Sequence, residues 1–426
     1  MRSFAVTPEV RARRAEVLER MYGPTADRRN PAGNRRRPSR RQAATRTQRQ
    51  REELGPASMV YFAIVVVVSF FVVLGLVMVL SATSATRVGG DVSPYAEFQR
   101  QTMWAALGLV AMSIAVKVPY DRLRRYVLPL SVLTAGTMLL PMVPGVGVTI
   151  NGATSWVRIG PVGFQPSELA KLASIAFLAD FYARHRGRVH LPVYGIVPLM
   201  IVAGLTAGLS FHQGDLGAAM VLVSVSMAVG VSAGIPFRQL VALGVAGTMA
   251  VVGAVMSDPR RFARLTAFRD IEGNKEDLAW QSWQGLVSIA NGGTTGSGIG
   301  GSNSKLGYLP LAHSDFIFAV IADELGFIGS VAVVGGFAVL VALGIQTALA
   351  APDRFGSLLA GGIAVWFGVQ AFVNLGGVAN LIPLTGLTLP FFSAGGTSLV
   401  VSMIAAGLLL NVARRAVTSA DRGGRR

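Results

Sequence analysis

Met59-Val-Tyr-Phe-Ala-Ile-Val-Val-Val-Val-Ser-Phe-Phe-Val-Val-Leu-Gly-Leu-Val-Met-Val-Leu80 runs for 22 residues without a charge. About 20 apolar residues wound as a helix cross the roughly 30 Å hydrocarbon core of a bilayer. No water is available there, so backbone polar groups must pair within the segment, and a helix is the expected form. The run begins too far into the chain for a cleavable signal peptide. Similar apolar segments recur to the end of the chain. They predict ten spans, at about 59–82, 102–119, 126–143, 168–183, 192–211, 216–233, 237–256, 316–345, 357–377 and 391–413. The chain is 52% hydrophobic and only 14% charged, against about 25% charged in soluble domains. The expected class is an all-α polytopic membrane protein with about ten transmembrane helices.

The charges between the spans orient it. Arg122, Arg124 and Arg125 lie between spans two and three, Arg184, Arg186 and Arg188 after span four, and Arg414 and Arg415 after span ten. An inside N-terminus puts all three clusters in the cytoplasm, as the positive-inside bias requires. Both termini are then cytoplasmic, and residues 257–315 form a large extracellular loop between spans seven and eight. Residues 1–56 carry fifteen Arg against six acids, a charge of +9, and few large apolar residues. This composition reads as a disordered arm. Nucleic acid and anionic lipid both suit such an arm; the membrane context favours lipid, and no nucleic-acid partner is expected. Three regions follow: the arm 1–56, a ten-span body 57–413, and a basic cytoplasmic tail 414–426.

The most informative polar stretch is Lys305-Leu306-Gly307-Tyr308-Leu309-Pro310-Leu311-Ala312-His313-Ser314-Asp315-Phe316-Ile317-Phe318. Asp315 sits where the long loop meets hydrocarbon. Partial desolvation there raises a carboxyl's proton affinity, which suits a general base near neutral pH. Ser314 or Asp315 could equally cap the helix that follows. Spacing alone leaves both readings open.

Other polar residues gather at the same face. Pro166 opens a helix on which Glu168 and Lys171 stand three apart. Charges buried at a bilayer border pair and serve a purpose, either as a structural ion pair or in binding. Asp215 begins span six, as a cap or as a ligand. Arg100 precedes span two. Trp156 is an interfacial anchor or a substrate contact. Arg260, Arg261, Arg264 and Arg269 open the long loop, and guanidinium forks suit phosphate. The glycines from Gly292 to Gly301 form either a turn or an anion-binding nest. There is no Cys and no P-loop, and the four His form no metal signature. A resident metal would therefore be a hard cation on Asp or Glu oxygens.

The motifs resemble those of the SEDS family of peptidoglycan glycosyltransferases over about 59–413. The resemblance rests on Asn151-Gly152 through Arg158, Gln165-Pro166-Ser167-Glu168 with Lys171, and Asp215-Leu216-Gly217. It also rests on the Lys305–Phe318 stretch, Asp323-Glu324-Leu325-Gly326, and Leu387-Thr388-Leu389-Pro390-Phe391 with Gly395-Gly396. Leu80–Ser84 and Phe98–Gln101 resemble the division branch more than the elongation branch. Gly214, Leu311 and Ala394 depart from the family pattern, which usually has Pro, an acid and Tyr there. The resemblance implies polymerisation of lipid II into β-1,4 glycan at the outer leaflet by an inverting displacement. It assigns Asp315 as base and places Arg100, Arg158, Glu168, Lys171, Asp215 and His313 at the substrate, with Arg260, Arg261 and Arg264 as further phosphate contacts. It implies a divalent cation (Mg or Mn) near Glu168 and Asp215, and a class B penicillin-binding transpeptidase and other divisome proteins as partners. It further implies a place in the cytoplasmic membrane at the division septum. A lipid-precursor flippase is the competing reading. It needs a polar path to both faces, for which Asp180, Asp323 and Glu324 are the candidates.

Overall fold

A computed structural model describes residues 59–84, 95–150, 152–160, 162–302, 309 and 311–415. The Arg-rich arm, residues 416–426 of the tail, Asn151, Lys305–Tyr308 and Pro310 lie outside the described residues.

Twelve longer helices occur among the described residues. They are α1 Met59–Ser84, α2 Ala96–Lys117, α3 Tyr120–Thr137, α4 Pro166–Arg184, α5 Ile196–His212, α6 Leu216–Ala233, α7 Phe237–Met256, α8 Pro259–Arg269, α9 Trp280–Asn291, α10 Ile317–Ala350, α11 Arg354–Val378 and α12 Gly396–Arg415. Each of the ten expected segments falls on one of them, and α8 and α9 belong to the long loop. Five helices (α1, α6, α10, α11 and α12) are long and apolar enough to cross a membrane alone, and the sharply bent pair α2–α3 would make a sixth. The chain is a multi-pass membrane protein.

α11 and α12 form the centre. Trp366, Phe367, Leu358 and Ile363 of α11 and Leu409, Val412 and Ala406 of α12 are fully buried. α12 lies close along α2, where a Cβ on Gly407 would come within 2.7 Å of the Met112 carbonyl. The Asn411 amide donates to the Ala115 carbonyl at 2.7 Å and the Val116 carbonyl at 3.2 Å, answering acceptors that the end of α2 leaves open. α1 approaches the non-helical stretch before α12 at Gly75, where a Cβ would meet the Phe391 carbonyl at 2.5 Å. Phe71 fills the same seam against Phe337 and Phe392, with ring centroids 4.5 and 5.0 Å away.

Two features depart from the expected all-α fold. A three-stranded antiparallel sheet, β1 Gly147–Ile150, β2 Ala153–Ile159 and β3 Val162–Phe164, fills the connection between α3 and α4. Gly147 pairs with Val157 and Ile150 with Ala153 across a tight turn. The second is a break in α10 at Gly326, whose φ of 65° and ψ of −161° are open only to glycine. There the glycine-rich loop joins the helix. The Ser297 and Gly298 N–H groups donate to the Asp323 and Glu324 carbonyls at 2.9 and 3.0 Å, and Phe327 N–H donates to Gly293 O at 2.9 Å. The run from Gly292 to Gly301 is therefore a turn locked by its own backbone, with these N–H groups committed to the chain.

Candidate functional site

The amino ends of α4, α6, α9 and α10 and the segment 380–394 surround a cavity of about 740 Å³. β2 and α8 close its sides, and Trp156 is part of its wall. Glu168, Asp215 and Asp315 line it together with Arg264. Sequence spacing of up to 147 residues separates these acids, and the fold brings them to one space.

Asp315 is half-buried in the last turn before α10. The helix N-cap is Phe316, without a side-chain cap bond, so the capping alternative for Asp315 is not realised. Burial, and secondly the charge of Asp215, push its carboxyl up to about 7, while the Ser314 hydroxyl pulls the other way. Across the cavity its Oδ2 lies 3.6 Å from where a Cβ on Gly386 would stand, and Gly386 has a φ of +71°. Asp215 is a cap: its Oδ1 accepts from Ala218 N–H at 2.9 Å and its Oδ2 from Gln165 Nε2 at 2.8 Å. Burial raises its proton affinity, opposed by the Ala218 N–H, the charge of Lys171 and the Gln165 amide.

Glu168 and Lys171 form a buried ion pair at 2.7 Å. Lys171 Nζ also donates to Gln370 Oε1 at 2.7 Å, and its side chain is fully enclosed behind the cavity wall. Glu168 Oε2 is buried without a hydrogen bond. Arg264 lines the cavity, whereas Arg261 stacks over Phe211, 4.1 Å from the ring centre, and pairs with Asp258. Arg100 is exposed on the first turns of α2, which starts earlier than expected, and pairs with Glu97 at 3.7 Å. Arg158 is exposed on β2, and neither Arg100 nor Arg158 is part of the cavity wall. His313 contributes its backbone carbonyl, which accepts from Ala394 N–H at 2.8 Å.

Gly214, where the family usually has Pro, has a φ of +83°. Its N–H donates to the Phe211 carbonyl at 3.1 Å. Proline offers neither that dihedral nor that donor, so this turn is closed by different means rather than loosened. Ala394 stands in the cavity wall, where a tyrosine would add a hydroxyl.

Two buried residues behind the wall carried no signal in the sequence. Gln370 Nε2 donates to the Thr388 carbonyl at 2.9 Å, and Asn374 Nδ2 donates to the Leu387 carbonyl at 2.6 Å and the Asp315 carbonyl at 2.9 Å. Two amides four residues apart in an apolar helix were the available clue. Among the described residues no three His, Asp or Glu side chains group as a metal cage. The unsatisfied Glu168 Oε2 beside Asp215 nevertheless fits a hard cation of the magnesium kind, which takes one or two carboxylates and completes its shell with water and phosphate oxygens.

The acids suggested for a path through the membrane are engaged locally. Asp180 bonds Arg124 at 2.5 Å and Arg184 at 2.8 Å at the far ends of α3 and α4. Glu324 accepts from Ser81 at 2.6 Å and Asp323 from Ser302 at 2.5 Å, just before the α10 break.

Fold and site together define a multi-pass membrane protein with an acid-lined cavity at one end of its helix bundle. Residues 61–418 match the family described as "Cell cycle protein", which groups FtsW, RodA and SpoVE. The chain belongs to that family. It is 36% identical over 341 residues to a probable peptidoglycan glycosyltransferase FtsW of Geobacter sp. (strain M18), covering 80% of this chain and 93% of that one. It is 36% identical over 351 residues to stage V sporulation protein E of Bacillus subtilis, covering 82% and 96%. A solved structure described as "Structural coordination of polymerization and crosslinking by a peptidoglycan synthase complex" has a similar fold. It matches with a TM-score of 0.70, 31% identity, and coverage of 84% of this chain and 98% of that one. The rod shape determining protein RodA of Thermus thermophilus matches with a TM-score of 0.59 and 31% identity, covering 84% and 97%.

Proposed function

We propose that this protein is an inverting peptidoglycan glycosyltransferase that polymerises lipid II into β-1,4 glycan at the outer face of the cytoplasmic membrane during cell division. The observation that carries it is Asp315. It is a half-buried carboxyl with an affinity near neutrality, on the wall of a cavity large enough for sugar, with Arg264 on the same wall. Family membership and the named relatives support the substrate class.

In this reading the acceptor's GlcNAc 4-hydroxyl lies against Asp315, which takes its proton as the oxygen attacks the donor's anomeric carbon. A single displacement from the α-linked pyrophosphate yields the β linkage. Arg264 balances charge growing on the leaving pyrophosphate. Lys171 acts from behind the wall by pairing with Glu168 and fixing the position of its carboxylate. A divalent cation, held by Glu168 and Asp215, would supply further positive charge at the pyrophosphate. Arg100, Arg158 and His313 are assigned to the outer reaches of the substrate or to its growing chain.

The proposed topology has ten spans, both termini in the cytoplasm, and residues 257–315 outside. The partner is a class B penicillin-binding transpeptidase within the divisome, and the location is the septum. Asp180, Asp323 and Glu324 are bound in local contacts, which supports an enzyme over a flippase. Purified protein with its transpeptidase partner should convert lipid II to polymer that muramidase digests. Transport of lipid II across vesicles without polymer would defeat the proposal.

A further inference from the structure

α11 presents two amides one turn apart to the same piece of irregular backbone. Gln370 is fully buried. Its Oε1 accepts from Lys171 Nζ and from Trp366 Nε1, both at 2.7 Å, and its Nε2 donates to the Thr388 carbonyl at 2.9 Å. Asn374 is 4% exposed. Its Nδ2 bridges the Leu387 carbonyl at 2.6 Å and the Asp315 carbonyl at 2.9 Å.

These bonds join the two walls that face each other across Asp315. One wall is the turn Leu311–Phe316. The other is Gly386–Thr388, where Gly386 lies close under the Asp315 carboxylate. Neither wall is helical, so no helix ladder fixes their separation. A second clasp, from Ser393 Oγ to the Ser314 carbonyl at 2.6 Å, holds the neighbouring residue of the same turn. Among the described residues, Asn374 alone bridges the backbone of Asp315 itself to the opposite wall through one side-chain nitrogen.

We infer that Asn374 is a positioning residue, which sets the Asp315 carboxylate against the acceptor hydroxyl by tying the Asp315 and Leu387 carbonyls to one amide. Gln370 supports the arrangement by anchoring the same wall to the buried Lys171. This rests on the reading of Asp315 as the general base. Displacement of a reacting group by about 1 Å can cost 10²-fold in rate, so the loss of the amide acts on turnover without any contact to substrate.

A double-substitution cycle tests it on the full chain with its transpeptidase partner. Asn374→Leu keeps the volume and removes both hydrogen bonds; it should cut lipid II polymerisation per folded protein about 10- to 100-fold. In an Asp315→Asn background the same change should cost less than about threefold, because a residue that acts only through the base has nothing left to act on. Asn374→Ser, which keeps one donor, should lose less than Asn374→Leu in the native background and serves if the leucine variant fails to insert. Equal fold losses in both backgrounds would make Asn374 merely structural and overturn the inference. So would native turnover by either variant. An active Asp315→Asn protein would instead refute the base assignment, and the two failures are thereby distinct.

Discussion

Replacing Asp315 with asparagine separates chemistry from architecture. The native carboxyl titrates near 7, so at pH 8 roughly nine-tenths of it is ionised and able to take a proton. Asparagine has the same shape and no basicity. A positioned base contributes about 10²–10⁴ in rate, and polymerisation of labelled lipid II should fall by that factor. The fold should not suffer. Phe316, not Asp315, occupies the N-cap of α10 without a side-chain bond, so the roughly 1 kcal/mol of a lost cap is not at stake. The sign of the linkage points the same way. Asp315 binds its proton more tightly in the folded state than its ordinary value of 3.8 allows. Native stability therefore falls as pH rises through the interval from about 4 to 7. The neutral amide escapes that loss and should melt no lower than wild type at pH 8. Thermal unfolding in detergent and gel analysis of the glycan product measure the two halves. Turnover within a few-fold of wild type would refute the assignment of Asp315 as base.

Asp215→Asn keeps a capping side chain but removes the charge that adds to burial in raising Asp315; the acid limb of the pH–rate profile should move below its native midpoint near 7, and an unmoved limb would count against the coupling. Lys171→Met strands the buried Glu168 carboxylate, at a cost of about 3–5 kcal/mol, and should appear as a lower unfolding temperature or lost expression; exchanging Glu168 and Lys171 should not restore turnover. Gly326→Ala forces a side chain into a left-handed break where its Cβ would stand 2.4 Å from Gly296 N, and should destabilise the protein measurably in the same melt. Deleting residues 1–50 should leave polymerisation in detergent largely intact, as an in-vitro glycan assay would reveal.

The membrane body was readable because its physics is local. An uncharged run such as Met59–Leu80 has few alternatives in hydrocarbon, and α1, α6 and α11 begin and end within a few residues of the expected limits. The acids were readable as a set, since charge at a membrane border needs a reason. The hairpin between α3 and α4 was missed although Asn151-Gly152 between alternating residues is a strong turn signal. The broken α10 was not readable: Asp323-Glu324-Leu325-Gly326 continues a helical pattern, and only contact with the distant glycine loop makes a break favourable. The roles of Gln370 and Asn374 were hidden for the same reason, because their acceptors are carbonyls far along the chain. Lys171 was expected at phosphate and lies behind the wall, a difference of one helix face that spacing does not resolve.

The glycine seam at the α10 break also tells an experimenter where the long loop between α7 and α10 tolerates handling. Gly292 has no room for a Cβ, which would stand 1.9 Å from the Ala322 carbonyl, and Gly296 is as tightly placed against Glu324 O at 2.1 Å. Gly292 and Gly296 therefore fix this stretch closely against α10, although it reads as a soft linker. The turn around Glu272–Asp277 is exposed and carries no such contacts with α10. A fluorophore or epitope grafted at the exposed Glu276 would ride on the loop and report its movement, whereas the same graft at Gly298 would disturb the bond from its N–H to the Glu324 carbonyl that ties the loop to α10.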